Sequence, residues 1–529
     1  MKGLIGMAFT FGNRKKRIII CLCASFAFML ICHGFLMFNP SYSHDSLTEI
    51  IRGKGYYQAS LGRFLQRSWR WFFSEVTATW FIGCMTAVFI GFAAVLLGDL
   101  FRIKRMESLV FLCGILITNH SMISSVATYM PWVDTYGAAL LFAVCGVWLL
   151  DRYRFGFLPG SLCLVASLGL YPPYLICVPA IVIIQLIVSM QQKGVWKKRL
   201  LYTAKAVLML AIAYGLYKVI LSIYLQKVHV AYSERDNSMA SIKLFGFRDL
   251  PGLLGGTFSL FFSQLFTTVS YMQYAPVLYG LIGISFAVIL VLFAVRSRFG
   301  VWEAVAMALL LAAIPFVFNI QYIVCEDATY HALMVYSIYF AYILLIPLYD
   351  SVAAMEQDGA GTVSVEAPGK TGRIMKMIAG KAKLCVPIIL AIILFADIRF
   401  ANNVYTDKYL RERSTLSVMT RIMGAAEQTS GFDPEKCGVL IIGELNNNKV
   451  LASPNSTFYP SLGNATRDIS ITYDIFPYLR QYMGYSYRFV EGEEKEKLLA
   501  DEYVQQMPAY PASGFAEIID DVLVIKISD

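Results

Sequence analysis

Two carboxylates followed by regularly spaced arginines form the pattern in this sequence that is most able to do chemistry. Asp45 and Glu49 lie four residues apart, so one turn of helix would place them side by side. Arg63, Arg67 and Arg70 follow at spacings that keep them on one helical face. Because a guanidinium group can hold a phosphate through two N–H groups at once, these residues predict phosphate binding close to a carboxylate.

The segment Leu61–Ser74 predicts an amphipathic helix that would carry these arginines. Its arginine side ends at Ser74, and its apolar side consists of Leu61, Phe64, Leu65, Trp69 and Phe72. Such a helix lies at a membrane surface with its cations at the depth of lipid phosphates. Bulk binding to headgroups, with Asp45 as an ordinary solvated loop carboxylate, is the alternative interpretation. The combination of a carboxylate and a basic helix favours a specific site.

The composition indicates which class of protein carries this segment. The chain has 529 residues, of which 57% are hydrophobic and 15% are charged, whereas soluble domains carry about 25% charged residues. This excludes a string of soluble domains, and it also excludes disorder. The net charge of +9 fits cationic loops of a membrane protein and not a nucleic-acid surface. Ten of the eleven cysteines lie in or beside apolar runs, so no disulfide framework is expected.

Apolar runs predict about eleven transmembrane helices in an all-α polytopic membrane protein. A spanning helix needs about 20 mostly apolar residues, and the first run follows four consecutive cations and reads as a retained anchor. The predicted spans are Ile18–Phe38, Thr79–Leu97, Ser108–Ala127, Thr135–Leu150, Phe157–Leu170, Tyr174–Met190, Tyr202–Leu221, Pro276–Val295, Trp302–Asn319, Ala332–Leu348 and Val386–Phe400.

The distribution of cations predicts the orientation of these spans. With the N-terminus inside, the inner segments carry twenty-one lysines and arginines, and the outer loops before residue 401 carry nine. Cytoplasmic loops are enriched in such cations. Five of the nine outer cations crowd into the long first outer loop, residues 39–78. The pattern therefore predicts a multi-pass cell-membrane protein and leaves the cations of that loop to be explained.

A change in composition near Phe400 predicts two domains. Residues 1–400 form the transmembrane domain, and residues 401–529 contain no spanning run. Within that tail, Asn403–Thr429 has a helical pattern, while Gly438–Gly443 and Asp521–Ile527 are short β-rich runs. The tail therefore reads as a small α/β domain on the extracytoplasmic side.

Short motifs in a fixed order connect these features to a known family. The chain resembles glycosyltransferases of the GT-C class, and more narrowly the GtrII membrane glucosyltransferases of bacteria. The resemblance covers most of the chain from the first span to the tail. The motifs that carry it are Ser43-His44-Asp45-Ser46-Leu47, Leu61-Gly62-Arg63-Phe64-Leu65, Met130-Pro131-Trp132-Val133-Asp134-Thr135-Tyr136-Gly137, Ser167-Leu168-Gly169-Leu170-Tyr171 and Met507-Pro508-Ala509-Tyr510-Pro511.

The resemblance implies transfer of a hexose, expected to be glucose, from a polyprenyl-phosphate donor to a cell-surface glycan on the outer leaflet. Asp45 matches the acidic position of the family's first loop and is assigned as the base that accepts the acceptor's proton. Arg63 and Arg67, with Lys54 as a weaker choice, are the candidates for holding the donor phosphate. The resemblance implies no cofactor, although a divalent metal is not excluded, and no nucleic-acid partner.

Other ionisable residues are predicted near the outer ends of the spans. Asp134 is either a first-turn helix carboxylate or a sugar ligand. His120 lies within a predicted span, where ionisable groups are functional candidates, but a helix–helix hydrogen bond is equally compatible. The full set of candidate substrate-binding residues is Glu49, Asp134, His120, Glu326, Asp327 and His331.

A secondary transporter or lipid flippase is the competing interpretation. About eleven spans fit that class too, and such proteins usually have two related halves around a site at the membrane midplane. This sequence shows no such halves, and its ionisable residues cluster near the predicted outer face. The location of the largest polar cavity would distinguish them: a pocket that opens outward above the first loop would favour the enzyme, and a sealed midplane cavity would favour the transporter.

Overall fold

In the computed structural model most of the chain is helical, with one small sheet near the C-terminal end. The structure describes residues 11–41, 43, 46, 56–233, 250–325, 331–354, 370–448, 462 and 475–528. Within these ranges eight helical segments are long and apolar enough to span a membrane. They are Arg14–Phe38, Thr79–Leu100, His120–Arg152, Pro172–Ser189, Trp196–Val228, Ala275–Arg296, Tyr336–Ala353 and Leu384–Ala426.

Three further apolar helices are shorter: Met106–Thr118, Phe157–Leu170 and Val301–Val317. Each of the eleven predicted runs overlaps one of the eight long segments or one of these three. A multi-pass membrane protein is therefore what the apolar helices indicate. Whether the short three cross the membrane separately stays a prediction.

The remaining elements of the helical part are short or include irregular turns. Two of the long segments begin with such turns, and the first two helices named below lie in the predicted first outer loop. The other described helices of this part are Tyr57–Ser60, Phe64–Phe72, Leu250–Leu265, Thr267–Ser270 and Ile320–Val324, and the 3₁₀ turns are Met130–Trp132, Pro172–Ile176, Ala332–Met334 and Tyr336–Tyr339.

The predicted run Ser108–Ala127 is divided at Asn119. The Asn119 amide nitrogen donates to the carbonyl oxygens of Ile115 at 2.9 Å and Leu116 at 3.1 Å. The amide oxygen accepts the N–H of Met122 at 3.0 Å. One side chain thus ends helix Met106–Thr118 and begins helix His120–Tyr129, because asparagine competes well for backbone groups at helix ends. The residue that the sequence placed in mid-span is a helix break.

Small residues allow close packing among the helices. A Cβ atom on Gly160 would lie 2.8 Å from the carbonyl oxygen of Gly146, and one on Gly137 would lie 3.3 Å from the methyl group of Thr86. Apolar helices in a membrane gain little from the hydrophobic effect on one another, so close van der Waals packing supplies much of their association. These glycines let helix Val133–Arg152 approach its neighbours to contact distance.

The chain divides into two compact units. The first unit contains Met1–Phe38, Gly55–Val126 and Pro131–Asn402. The second unit contains Asn39–Lys54, Ala127–Met130 and Asn403–Asp529. The tail after residue 402 therefore groups with the start of the first outer loop and with four residues at a helix end.

A four-stranded sheet forms the core of the second unit. Its strands are β1 (Gly438–Ile442), β2 (Arg488–Phe489), β3 (Ala516–Ile519) and β4 (Val522–Lys526), in the order β2-β1-β4-β3. β1 runs parallel to β2 and β4, and β3 pairs antiparallel with β4. The predicted β-rich runs correspond to β1 and β4, whereas β2 and β3 were not predicted.

Helices cover this sheet. The long helix Lys370–Ala426 contributes Met419, Ile422 and Met423 to a buried apolar cluster with residues of β1 and β4. Its last part corresponds to the predicted helix Asn403–Thr429. Shorter helices complete the unit: Ile475–Tyr482, Gly492–Ala500 and Glu502–Gln506.

Candidate functional site

The predicted first outer loop contains a nine-residue helix, Phe64–Phe72, which we call the arginine helix. A turn at Gly62 leads into it with a φ angle of +88°, a conformation that favours glycine. The Tyr217 hydroxyl donates to the carbonyl oxygen of Gly62 at 3.0 Å. A Cβ atom at this glycine would lie 2.3 Å from the same hydroxyl oxygen, so both the turn and its contact require glycine.

The arginine helix packs through its N-terminal half and exposes its C-terminal half. Phe64 and Gln66 are buried, and the Gln66 amide nitrogen donates to the carbonyl oxygen of Leu170 at 2.8 Å. Trp71 and Phe72 are 76% and 73% exposed. The apolar side of the helix is therefore divided along its length, because Phe64 packs against the protein and Phe72 is exposed. Exposed tryptophan and phenylalanine beside arginines fit a membrane interface.

Aromatic rings hold the first two arginines. The Arg63 guanidinium carbon lies 5.0 Å from the centre of the Tyr171 ring, and its Nη1 donates to Oε1 of Gln58 at 3.0 Å. Arg67 lies 4.3 Å from the centre of the Tyr56 ring. Such contacts attract a cation through the negative face of the ring. They orient both predicted phosphate ligands.

The third arginine lies beside a carboxylate. Arg70 stacks 4.4 Å from the centre of the Trp132 ring, and its Nη1 donates to the carbonyl oxygen of Pro131 at 3.0 Å. Asp134 accepts a hydrogen bond of 2.8 Å from the indole nitrogen of Trp69, and Arg70 attracts its charge. Asp134 thus occupies the first turn of its helix, as one interpretation predicted, and also binds the arginine helix.

Arg70 and Asp134 line a small cleft. About 20 Å³ is open to the centre of a water-sized group, which is enough for an ordered water or one oxygen of a larger anion. The rest of the wall is apolar, so the cleft combines one cation and one carboxylate with a surface suited to hydrocarbon. The apolar lining residues are Phe73, Val76, Phe81, Ile82, Met85 and Pro131.

Stacked tyrosines continue from Arg63 into the helical core. The rings of Tyr136 and Tyr171 are 4.2 Å apart, and those of Tyr174 and Tyr336 are 4.8 Å apart. The hydroxyl groups of Tyr171 and Tyr174 are buried and have no hydrogen-bond partner within the described part of the chain. Burial raises the pKa of Tyr171 well above its usual value, with Tyr136 adding to the rise, so its hydroxyl stays protonated. Buried hydroxyls of this kind can serve a polar ligand.

Other predicted residues lie apart from this cleft or outside the described ranges. His120 is buried at the start of helix His120–Tyr129, with its ring centre 5.3 Å from that of Phe400. His331 precedes the 3₁₀ turn Ala332–Met334. The remaining predictions lie outside the described residues: Asp45, Glu49, Lys54, Glu326 and Asp327.

Sequence reasoning missed three contributors to the site. Trp69 was assigned to the apolar side, although a partly buried indole N–H group usually finds an acceptor. Gln66 interrupts the arginine side, and its burial depends on a carbonyl about one hundred residues later in the chain. Arg70 was recognised in the stripe but not chosen as a ligand. Within the described residues no group of three metal-binding side chains occurs.

Comparison with known proteins adds one finding. The family model described as glucosyl transferase GtrII matches residues 34–347, which is more than half of the chain. The matched range includes the arginine helix, Asp134 and the stacked tyrosines. Comparisons with curated proteins and with solved structures give no match.

Proposed function

The chain belongs to the GtrII glucosyltransferase family, and we propose that it transfers glucose from a polyprenyl-phosphate donor to a cell-surface glycan at the outer face of the membrane. Membership confirms the predicted family and makes the chain a glucosyltransferase, with a sugar donor and an acceptor. The lipid donor, the glycan acceptor, the GT-C architecture and the outer-face topology are parts of the proposal.

The cleft at Arg70 and Asp134 is the observation that carries the proposal. A prenyl phosphate joins a charged group to hydrocarbon, and the cleft joins an arginine to six apolar or aliphatic side chains. The exposed Trp71 and Phe72 lie one and two residues beyond Arg70, where an interfacial position would put the arginine at phosphate depth. This arrangement favours a lipid-linked phosphate over a water-soluble nucleotide sugar.

The transfer breaks one bond and forms one. An acceptor hydroxyl attacks the anomeric carbon, the bond from that carbon to the phosphate oxygen breaks, and its electron pair leaves with the lipid phosphate. Asp45 is proposed to take the hydroxyl proton. Arg63 and Arg67, with Lys54, are proposed to stabilise the charge that grows on the phosphate. The structure adds Arg70 as the arginine that lines the cleft.

Asp134 suits sugar binding better than proton transfer in this scheme. Its carboxylate already accepts the Trp69 N–H group and is attracted by Arg70. Both interactions fix the orientation of the carboxylate. A carboxylate held in this way can still accept hydroxyl groups of the sugar, so we assign Asp134 to substrate orientation.

A donor test decides the proposal. Purified protein is incubated with prenyl-phosphate glucose or with UDP-glucose, and release of prenyl phosphate or UDP is measured with and without glycan acceptor. We expect release of prenyl phosphate that increases with acceptor. The Asp45→Asn variant serves as the matched control, since it keeps the side-chain shape. Release from UDP-glucose alone would overturn the lipid donor.

Topology needs a separate test. Single cysteines are introduced at two exposed positions, Glu435 in the tail and Lys193 in a predicted inner loop. A membrane-impermeant maleimide should label Glu435→Cys in intact cells and Lys193→Cys only after lysis. The opposite pattern would reverse the orientation and exclude transfer at the outer face.

The transporter alternative makes a different prediction about where polar groups gather. It requires a polar site at the midplane of the spans, reached alternately from both sides. The described cleft instead lies against the first-loop helix, with Arg70 and Asp134 in its wall. That position supports the enzyme.

A further inference from the structure

Lys408 is a buried cation in the second unit. It lies in the long helix Lys370–Ala426 and is only 7% exposed. Its Nζ donates to the carbonyl oxygen of Ala127, near the end of helix His120–Tyr129. Burying an ammonium group is costly unless it meets a partner, and the Ala127 carbonyl oxygen is such a partner.

The next carbonyl group of the same helix end, that of Thr128, accepts hydrogen bonds from two serines of the first outer loop. The Ser43 hydroxyl donates to the carbonyl oxygen of Thr128 at 2.5 Å, and the Ser46 hydroxyl donates to the same atom. The Ser46 N–H group also donates to the Ser43 hydroxyl oxygen at 3.3 Å. Carbonyl groups in the last turn of a helix lack partners within the helix. Here two segments distant in sequence supply those partners.

Asp45 lies between Ser43 and Ser46 in the sequence. We propose that Lys408 is a positioning residue for glucosyl transfer, which holds the end of helix His120–Tyr129 so that Ser43 and Ser46 keep the Asp45 segment in place. This inference rests on the base role proposed for Asp45.

The helix that carries Lys408 also contributes a carboxylate that stabilises its positive charge. Glu412 lies one turn further along this helix and attracts the ammonium group. Ala127 is itself buried, so without Lys408 its carbonyl oxygen would lose a charged donor where water cannot easily replace it. An arginine could donate to the same oxygen, whereas a methionine of similar length could not. Substitution by these two residues therefore separates charge from packing.

A kinetic experiment tests the positioning role. We compare Lys408→Met, Lys408→Arg and the control Lys436→Met, an exposed lysine of the same unit that pairs with Asp433. Lys408→Met should lower kcat at least tenfold with the donor KM unchanged, Lys408→Arg should recover most of the loss, and the control should match wild type. An unchanged kcat in Lys408→Met, or equal losses in Lys408→Met and Lys408→Arg, would overturn the proposal.

A labelling experiment gives a readout that does not need turnover. A cysteine placed at Leu47, next to Ser46, is labelled with a soluble maleimide and quantified by mass spectrometry of its peptide. Lys408→Met should raise its labelling rate at least threefold. The double variant Ser43→Ala/Ser46→Ala should raise the labelling rate by a similar factor. Combining it with Lys408→Met should raise the rate little further.

These outcomes separate the inference from the proposed function. If wild-type protein fails to use prenyl-phosphate glucose but labelling responds as expected, the donor proposal fails. The inference that Lys408 supports the loop through Ser43 and Ser46 then stands. If kcat falls in Lys408→Met while labelling at position 47 stays unchanged, Lys408 does not act through the loop and the inference is wrong. The serine variant keeps the test available if Lys408→Met does not fold.

Discussion

Two sets of arginines in the first unit are held in different ways. The arginine helix and the residue before it place Arg63, Arg67 and Arg70 against the faces of aromatic rings. At the other set, Arg17 and Arg152 share one carboxylate, Asp99, with N–O distances of 3.9 and 3.7 Å. The first set lies in the predicted outer loop, and the second lies at the predicted inner ends of the spans.

The two arrangements use different parts of the guanidinium group. A carboxylate pairs with the N–H edge and offsets part of the charge, and a buried pair of this kind is costly to break. An aromatic ring contacts the flat face of the group. The arginines around Asp99 are therefore fixed through a charged partner, whereas the ring contacts of Arg63, Arg67 and Arg70 fix the orientation of their planar groups.

The largest effect is expected on turnover at the loop. Asp45→Asn removes the proposed proton acceptor, so kcat should fall by about 10²–10⁴-fold while the unfolding temperature stays unchanged. Glu75→Gln, at an exposed carboxylate later in the same loop, is the matched control and should keep wild-type turnover. Near-normal turnover of Asp45→Asn would move the base to Glu49, Asp134 or Glu326.

Removing the carboxylate charge of Asp99, the partner of Arg17 and Arg152, should lower stability and leave turnover unchanged. Asp99→Asn leaves Arg17 and Arg152 without their shared carboxylate, and it should lower the free energy of unfolding by about 3 kcal/mol. Turnover per folded molecule should not change. Chemical unfolding in detergent measures the loss. Glu107→Gln, which breaks an exposed pair with Arg105, should cost less than about 1 kcal/mol. Equal costs for both variants would remove the distinction between the two sets.

A smaller effect is expected from two neighbouring tryptophans. Trp69→Phe removes the N–H group that Asp134 accepts, and losing a hydrogen bond to a charged group costs about 1.5–3 kcal/mol. The donor kcat/KM should fall about tenfold. Trp71→Phe changes an exposed ring on the same helix and should leave kcat/KM within about twofold. If both variants behave alike, Asp134 does not orient the substrate.

Local sequence predicted much of the helical part. Helix Phe157–Leu170 has the bounds that the sequence predicts, because Gly156 precedes its apolar run and Tyr171-Pro172 ends it. The break at Asn119 was not predicted, since asparagine within an apolar run has no local signal that separates a break from a buried hydrogen bond. In the second unit, the two-residue β2 is too short for any periodicity to show.

The site was predictable in its parts but not in its pairings. Helical periodicity located the arginine stripe, and the resemblance to the GtrII family is confirmed by the family match. The ring partners of two of the three arginines, however, come from other segments: Tyr171 for Arg63 and Trp132 for Arg70. Such long-range contacts leave no pattern in a single sequence. The roles predicted for Asp45, Arg63 and Arg67 stay predictions.

The most direct test of this account compares Arg63→Lys, Arg67→Lys and Arg70→Lys. Each variant keeps its charge and loses the planar guanidinium group, so a membrane anchor would tolerate all three, whereas a bidentate phosphate site would not. Release of prenyl phosphate from prenyl-phosphate glucose is measured over a range of donor concentrations. We predict that Arg70→Lys lowers kcat/KM more than tenfold, and more than either of the other two variants. Wild-type kcat/KM in all three would show that charge alone suffices and would contradict a phosphate site on the arginine helix.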